Sequence, residues 1–167
     1  KNIKQFIREI IEYSPNKVFN ALHGKFGEDG QIQSILNFLK VPYTHSGVTS
    51  SAIAMNKYFS KIIFKSNGIP CPNGQIVKRD DKLNLNLGFP LVIKPVDGGS
   101  SIDVKLVKKK KELNKNLKDF FLKNNSGLLE EFIPGREITV GVLEDKILGI
   151  IEILSKESFY DYKSKYL

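Results

Sequence analysis

The stretch LVIKPVDGGSS, residues 91–101, decides the fold of this chain. Its apolar start predicts a buried strand, and Pro95 ends that strand because it has no backbone N–H. The loop Gly98–Ser101 then offers unhindered amides and hydroxyls beside Lys94. A lysine at a strand end next to such a loop can hold a phosphate group. A polar surface hairpin with an exposed lysine has the same local pattern, so the rest of the chain must separate the two interpretations.

Composition limits the classes of partner. The 167 residues are 41% hydrophobic, enough for one domain or two small ones, and carry a net charge of +8. That charge would suit phosphates, nucleic acid or an anionic membrane. The lysines are spread along the chain without interleaved aromatic residues, and the run 108–111 precedes a helical pattern, which is typical of a solvated turn. We therefore expect no nucleic-acid partner.

Cysteine and histidine counts exclude further classes. One cysteine, Cys71, allows no internal disulfide, and two histidines do not favour a zinc cluster. No apolar stretch reaches membrane-spanning length, and the N-terminus has no signal-peptide pattern. The sequence predicts a cytoplasmic protein with no membrane partner.

The first part of the chain predicts an open α/β layer. Apolar residues at helical spacing predict a helix over 2–13, and the run 18–22 predicts a buried strand that ends in the polar loop 23–30. Asp29 is placed to cap the next helix. A short extended piece follows at 41–44, so a functional loop would lie at the carboxyl end of a strand.

The later part predicts an α+β unit with an antiparallel sheet. Two helical patterns fill 47–67, with Asn56 as a cap for the second and Gly68 as its stop. One further helix is predicted over 110–123, and Glu144-Asp145-Lys146 joins the last two strands in a hairpin. The predicted strands share short β-branched or leucine-rich runs, at 75–78, 91–94, 104–107, 128–132, 138–143 and 147–153.

Five separated motifs carry a family resemblance. They share one order and spacing along the chain: HGKFGEDG at 23–30, MNKYFSK at 55–61, FPLVIKPVDGGSS at 89–101, EEFIPGREITVGVL at 130–143 and FYDYKSKYL at 159–167. Together they resemble the D-alanine–D-alanine ligases of the ATP-grasp superfamily.

The resemblance implies an incomplete ATP-grasp fold, in which α/β and α+β subdomains hold ATP between them. It implies a partial N-terminal substrate-binding α/β domain at 1–68 and a central ATP-grasp subdomain at 69–133, with a lid loop at 97–103. The start of the C-terminal subdomain would follow at 134–167 and include part of a mobile omega loop.

The resemblance also implies a reaction. ATP would phosphorylate the carboxylate of one D-alanine to an acylphosphate, and the amine of a second D-alanine would attack it, giving D-alanyl-D-alanine for peptidoglycan synthesis. ATP, D-alanine and Mg²⁺ or Mn²⁺ would be the ligands of the complete enzyme, which would be a homodimer.

Two lysines are implied on the phosphates of ATP. Lys94 in VIKP matches one of them. Lys57 in MNKYFSK matches the other, although Asn precedes it where the family usually has Asp, and Lys61 competes for the role on charge alone. Ser101 in the lid would donate to phosphate oxygens. Lys165 in the omega loop would reach the γ-phosphate.

The segment EEFI at 130–133 matches the hinge that reads adenine. The Glu131 carbonyl would accept from the amino group, the Ile133 amide would donate to a ring nitrogen, and Phe132 would form an apolar wall, with Glu130 beside them. Glu137 matches the carboxylate that takes the ribose hydroxyls, although an exposed strand carboxylate would have the same sequence pattern.

The remaining matched residues are implied at the D-alanine site. Glu28 would line the pocket, and His23 would face the first D-alanine unless it only caps the loop. Tyr160 belongs to the omega loop. Ser100 would orient Tyr166 beside the substrates. A tyrosine at Tyr166 suits amine attack and so favours dipeptide over D-alanyl-D-lactate formation.

Some parts of the family pattern have no match in the chain. The metal ligands, a catalytic arginine and a first strand with an acid for D-alanine are expected outside it, so we expect no metal ligands here, little ligase activity from the chain alone, and exposed sheet edges. Asp103 stands where the family usually has glycine, and we expect its carboxylate to point into solvent. A D-alanine–D-lactate ligase, another ATP-grasp ligase and a non-catalytic ATP-binding remnant stay open as alternatives.

Overall fold

A computed structural model describes residues 3–154 of the chain. It divides into two compact units, which are described separately. Unit 1 comprises residues 1–71 and 96–99, and unit 2 comprises residues 72–95 and 100–167. Within residues 3–154, no helix is both long enough and apolar enough to cross a membrane.

The described part of unit 1 contains four helices. They are α1 (Ile3–Tyr13), α2 (Gln31–Phe38), α3 (Val48–Met55) and α4 (Lys57–Ser66). The predicted cap of α4 is confirmed, because the side-chain oxygen of Asn56 accepts hydrogen bonds from the amides of Tyr58 and Phe59, each at 3.1 Å. Gly68 has φ of 73° beyond the helix end, a conformation that favours glycine.

Two local predictions in unit 1 are wrong. Residues 18–22 form no strand: Val18 makes one parallel bridge to Tyr43, and Leu22 is exposed. A strand needs a neighbouring strand along its length to pair its backbone groups, and the run 18–22 meets its neighbour at a single bridge, Val18 to Tyr43. The cap of α2 is Gly30 rather than Asp29, with φ of 93° and no side-chain cap.

Gly30 also sets the approach of α3 to α2. A Cβ at this position would lie 2.8 Å from the Val48 carbonyl oxygen, which is backbone and cannot move aside. Only glycine combines this close approach with the left-handed backbone. Ile32 and Leu36 of α2 are buried, so the start of α2 is held firmly beside the loop 23–30.

Unit 2 contains the predicted antiparallel sheet. Its strands are β1 (Gly74–Lys78), β2 (Leu91–Pro95), β3 (Lys105–Val107) and β4 (Ser126–Glu131), in the order β1-β4-β2-β3 with every pair antiparallel. The predicted strands and the helix α5 (Lys110–Phe121) are confirmed, with ends shifted by a few residues.

The core of unit 2 lies between the sheet and α5. Leu91, Ile93 and Leu129 are fully buried and belong to one cluster with Phe120 and Phe121 of the helix. Gly127 makes the close packing possible, because a Cβ there would lie 2.7 Å from the Phe120 ring. The Lys105 ammonium lies 3.8 Å from the Asp119 carboxylate, which joins β3 to the same helix.

The predicted hairpin is also confirmed. It consists of β5 (Glu137–Leu143) and β6 (Lys146–Ile153), paired antiparallel, with a register shift after Gly141. Almost every residue in its two strands is exposed, including Ile147 and Ile150. The hairpin therefore presents an apolar surface that the described part of unit 2 leaves uncovered.

Candidate functional site

The loop 23–30 of unit 1 is held by its own acidic side chains. The Glu28 carboxylate accepts a hydrogen bond from the Gly24 amide, and the Asp29 carboxylate accepts one from the Phe26 amide at 2.9 Å. Phe26 has φ of 73°, and its ring meets the edge of Phe6 at 6.1 Å between centroids. The two carboxylates therefore fix a tight polar loop on which Glu28 keeps a defined position.

Asp29 is a structural member of this loop. Partial burial acts to raise the pKa of Asp29, but hydrogen bonds from the Phe26 amide, the Gln31 side chain and the Gln31 amide outweigh it and lower the pKa below its usual 3.8. The ionised form therefore stabilises the folded loop above the unfolded-state pKa, and this contribution is lost as the pH falls through the folded-state value.

A cavity of about 400 Å³ lies beside this loop in unit 1. Its volume is in the range of small-molecule sites. The lining residues come from the loop, from α3 and the segment before it, from the start of α4 and from the glycine loop after Val96: Glu28, His45, Ser46, Ser50, Ser51, Ala54, Met55, Lys57, Gly98 and Gly99. One carboxylate, one ammonium and one imidazole therefore share a cavity with hydroxyls and bare backbone.

Lys57 is tied to the glycine loop at two points. Its amide donates to the Val96 carbonyl at 2.8 Å, and its ammonium donates to the Gly98 carbonyl at 2.8 Å. Gly98 has φ of 97°. The amide bond holds the start of α4 beside the loop, so the Lys57 ammonium and the glycine backbone meet at one side of the cavity.

His45 lines the same cavity, and the sequence did not single it out. Its Nδ1 lies 2.9 Å from Nε2 of the buried Gln33 and 3.4 Å from the Ser51 hydroxyl. The sequence does not mark this group, because α2 (QIQSILNF) and α3 (VTSSAIAM) each contain several polar residues, and only the structure shows that Gln33 and Ser51 are the buried ones. His23, by contrast, is exposed and is not among the residues that line the cavity.

Unit 2 contains the other group of predicted site residues, on the sheet and the strand ends. Lys94 of β2 forms an ion pair with Glu130 of β4. Glu130 is 5% exposed, whereas the Lys94 side chain is 24% exposed. The buried carboxylate is compensated by the lysine, whose ammonium lies at the carboxyl end of β2 and still reaches solvent.

The hinge segment is fixed by hydrogen bonds to its neighbours. The Glu131 amide donates to the Asn73 carbonyl at 2.9 Å, and the Phe132 amide donates to the Pro90 carbonyl at 3.0 Å. The Asn73 side chain also donates to the Glu131 carboxylate at 3.1 Å. Ile133 beyond them is exposed. The groups predicted to bind adenine are the Glu131 carbonyl and the Ile133 amide, and these three hydrogen bonds use other groups of the segment.

The lid loop has a strained backbone. Ser100 and Ser101 each have φ of 55°, and Asp103 has φ of 57°, in a region that non-glycine residues rarely adopt. The Asp103 carboxylate does not point into solvent as expected. It accepts from the Asn124 amide group at 3.3 Å and lies 3.8 Å from the Lys123 ammonium. These partners at the end of α5 anchor the lid base and draw the carboxylate to them.

Glu137 begins β5 and is exposed, paired in register with Ile153. Its neighbour Arg136 binds Glu152 with two hydrogen bonds of 2.8 Å. The Glu152 carboxylate raises the pKa of Arg136, and the guanidinium lowers the pKa of Glu152. Two carboxylates, those of Glu137 and Glu152, belong to this end of the hairpin, and Arg136 binds that of Glu152. Tyr160, Lys165 and Tyr166 lie outside the described residues.

The described residues offer no group of side chains that fits a divalent metal. Among residues 3–154, no three histidine, cysteine, aspartate or glutamate side chains come together as a metal-binding group. Mg²⁺ prefers carboxylate oxygens together with phosphate and water.

Solved structures share this architecture. A D-alanine–D-alanine ligase from Bacillus anthracis complexed with ATP matches with a TM-score of 0.80 and 38% identity, over 92% of this chain and 54% of that one. The ligase from Helicobacter pylori matches with a TM-score of 0.69 and 30% identity, over 90% of this chain and 48% of that one. The mixed α/β architecture is thus a part of the ATP-grasp ligase fold.

Sequence comparison identifies the family. The family profile described as D-ala D-ala ligase C-terminus matches residues 63–167, and the D-ala D-ala ligase N-terminus profile matches residues 2–46. The chain belongs to the D-alanine–D-alanine ligase family, as the motifs predicted.

Curated relatives give the extent of the match. The D-alanine–D-alanine ligase of Paramagnetospirillum magneticum is 46% identical over 99% of this chain and 54% of its own length. That of Pelagibacter ubique is 48% identical over 98% of this chain and 55% of its own length. The chain spans about half the length of the curated relatives it matches.

Proposed function

We propose that this chain carries D-alanine- and ATP-binding elements of a D-alanine–D-alanine ligase. The observation that carries the proposal is the cavity in unit 1, where Glu28, Lys57 and the glycine loop share one lining in a chain of this family. A zwitterionic amino acid needs a carboxylate for its ammonium group and a donor for its carboxylate, and the cavity contains both.

In this proposal the cavity binds and orients D-alanine. The Glu28 carboxylate receives the substrate ammonium. The Lys57 ammonium, which the family motif assigns to the ATP phosphates, would neutralise the negative charge that gathers when the substrate carboxylate is phosphorylated. Phosphoryl transfer depends mainly on position and charge neutralisation, so two fixed charges on a rigid loop and a helix start suit the reaction. The product is an acylphosphate, which the amine of a second D-alanine attacks to give D-alanyl-D-alanine, ADP and phosphate.

In unit 2 the proposed ATP contacts are Lys94, Ser101, Glu137 and the hinge 130–133. The Lys94 ammonium is already paired with Glu130, and a bound phosphate would offer it a second anion. The remaining proposed residues, Tyr160, Lys165 and Tyr166, would complete the site from the omega loop, with Ser100 orienting Tyr166. The tyrosine at position 166 favours a dipeptide product over the D-lactate ester.

The same proposal includes the domain limits 1–68, 69–133 and 134–167, a cytoplasmic location, a role in peptidoglycan synthesis and a homodimeric complete enzyme that uses Mg²⁺. The metal ligands would come from the part of the complete ligase that corresponds to the unmatched half of its relatives.

The experiment is an end-point assay for D-alanyl-D-alanine and ADP, with D-alanine and ATP. We expect a polypeptide that extends this chain to the relatives' length to form both products in equal amounts, and the 167-residue chain to form almost none. When D-lactate is added at the same concentration as D-alanine, the dipeptide should remain the main product. An extended polypeptide that forms no dipeptide would contradict the proposal. If the D-lactate ester is the main product, the protein is a D-alanine–D-lactate ligase instead.

A further inference from the structure

In the unit 1 cavity, the hydrogen-bond partners of His45 determine which of its two ring nitrogens donates and which accepts. Nε2 of Gln33 lies 3.0 Å from the Gly27 carbonyl oxygen and 2.9 Å from His45 Nδ1. A carbonyl oxygen can only accept, so the atom of Gln33 that faces it has to be the amide nitrogen. The amide orientation of Gln33 is therefore fixed.

The fixed amide in turn sets the imidazole. Because the Gln33 amide nitrogen donates, His45 Nδ1 has to accept, and the proton of the neutral ring lies on Nε2. The Ser51 hydroxyl donates to the Ser46 carbonyl at 3.1 Å and lies farther from Nδ1, at 3.4 Å, than the Gln33 amide nitrogen at 2.9 Å, so Gln33 is the group that determines the role of Nδ1. Nδ1 is engaged on the buried side, which leaves Nε2–H as the polar group of the ring for the cavity.

The supporting amide is in an unusual state for a purely structural residue. Gln33 is fully buried, and its Oε1 has no hydrogen-bond partner within the described part of the chain. An unsatisfied buried carbonyl costs about 1–3 kcal/mol. An apolar side chain at this position of α2 would avoid that cost, whereas the glutamine holds both the Gly27 carbonyl beside Glu28 and the ring of His45.

We propose that His45 is a substrate-positioning residue whose Nε2–H, oriented by Gln33, donates to the carboxylate of the amino acid whose ammonium group Glu28 receives. The inference rests on the proposed function, because it assigns one further contact in the same cavity. It gives the cavity two donors for the substrate carboxylate, the imidazole of His45 and the ammonium of Lys57. The imidazole is the one with a fixed direction, so it would orient the carboxylate as well as attract it.

The tautomer is the first test. Nitrogen-15 NMR of the 167-residue chain distinguishes the two ring nitrogens of each of its two histidines, and His45→Gln assigns the signals. We expect His45 to be protonated on Nε2 alone when the ring is neutral, and we expect Gln33→Leu to give a mixture of tautomers. A neutral ring protonated on Nδ1 in the unsubstituted chain would overturn the inference.

The second test compares D-alanine with D-alaninamide, which keeps the ammonium group and lacks the carboxylate. His45→Phe should weaken D-alanine binding about 10-fold, as expected for one hydrogen bond to a charged group, and should leave D-alaninamide binding unchanged. His45→Gln, which retains an N–H donor, should recover part of the D-alanine affinity. Phe38→Leu is the control, a change on α2 at an exposed position outside the cavity lining, and should alter neither affinity.

The outcomes separate the two proposals. If D-alanine shifts the amide signals of Glu28, Lys57 and Gly98 but His45→Phe weakens both ligands equally or neither, the role of His45 is wrong and the proposed function stands. If D-alanine perturbs none of these amides, the proposed function of the cavity fails and the inference fails with it.

Discussion

The four-stranded sheet and the β5–β6 hairpin have similar apolar sequences and opposite burial. Leu91, Ile93 and Leu129 of the sheet are 0% exposed, whereas Ile147 and Ile150 of the hairpin are 69% and 67% exposed. The sheet has central strands with neighbours on both sides and a helix on one face, while the hairpin consists of two strands without a third among residues 3–154. Apolar pattern therefore predicts that a strand forms, but a neighbouring element decides whether its side chains are buried.

The largest expected effect breaks the core of the sheet. Phe120→Ala removes a ring that is 1% exposed and packs against Gly127, so we expect the free energy of unfolding of unit 2 to fall by about 3–5 kcal/mol. Ile150→Ala in the hairpin should change it by less than about 0.5 kcal/mol, because the side chain is mostly exposed. Urea unfolding followed by circular dichroism measures both, and equal losses would contradict the comparison.

The next effect compares the two ion pairs. Lys94→Met leaves the buried Glu130 carboxylate without its cation and should lower the free energy of unfolding by about 3 kcal/mol. Glu130→Gln should cost less, because the Lys94 ammonium reaches water. Arg136→Gln, in the exposed hairpin pair, should cost the least of the three. Thermal unfolding of the three variants orders them, and a reversed order would show that the buried pair is not required for stability.

A smaller effect concerns association through the hairpin. Its exposed apolar residues favour contact between copies of the chain. The double variant Ile147→Lys with Ile150→Lys should move the protein toward the monomer in size-exclusion chromatography with light scattering, without a change in the unfolding midpoint. Glu12→Lys on α1, at an exposed position, changes the net charge by the same amount, so it is the control for charge alone and should not change association. An unchanged size distribution in the double variant would contradict this account of the surface.

The smallest effect is the titration of Glu152. Its pKa is lowered below the usual 4.5 by Arg136, so the ionised pair stabilises the hairpin above the unfolded-state pKa and is lost as the pH falls through the folded value. Carbon-13 NMR of the carboxyl group should show the pKa return toward 4.5 in Arg136→Gln. A titration that does not respond to this substitution would show that the two hydrogen bonds do not form in solution.

The sequence predicted most of the secondary structure because each element depends on local pattern. The strands 91–94 and 128–132 and the helix 110–123 were found from apolar spacing, and the turn 144–146 from its polar residues. The run 18–22 also has an apolar pattern, but the strand predicted there is wrong. Strand formation depends on a partner, and here the partner pairs at one position, Tyr43.

The site was only partly predictable, for a related reason. The family motifs named Glu28 and Lys57, and the structure brings both to one cavity. His45, Ser51 and Gln33 were missed because no motif joins them, and they meet only when α2 and α3 pack across Gly30. Asp103 was placed wrongly in solvent because its partners, Lys123 and Asn124, lie at the far end of the next helix.

The most direct test of the central claim is calorimetric titration of ATP into the 167-residue chain, with Lys57→Met and Lys61→Met compared. Both lysines belong to α4, one turn apart, and the family motif assigns the phosphate contact to Lys57. We expect saturable ATP binding that weakens about 10-fold in Lys57→Met and is retained in Lys61→Met. An absence of ATP binding in the unsubstituted chain, or an equal loss in the two variants, would contradict it.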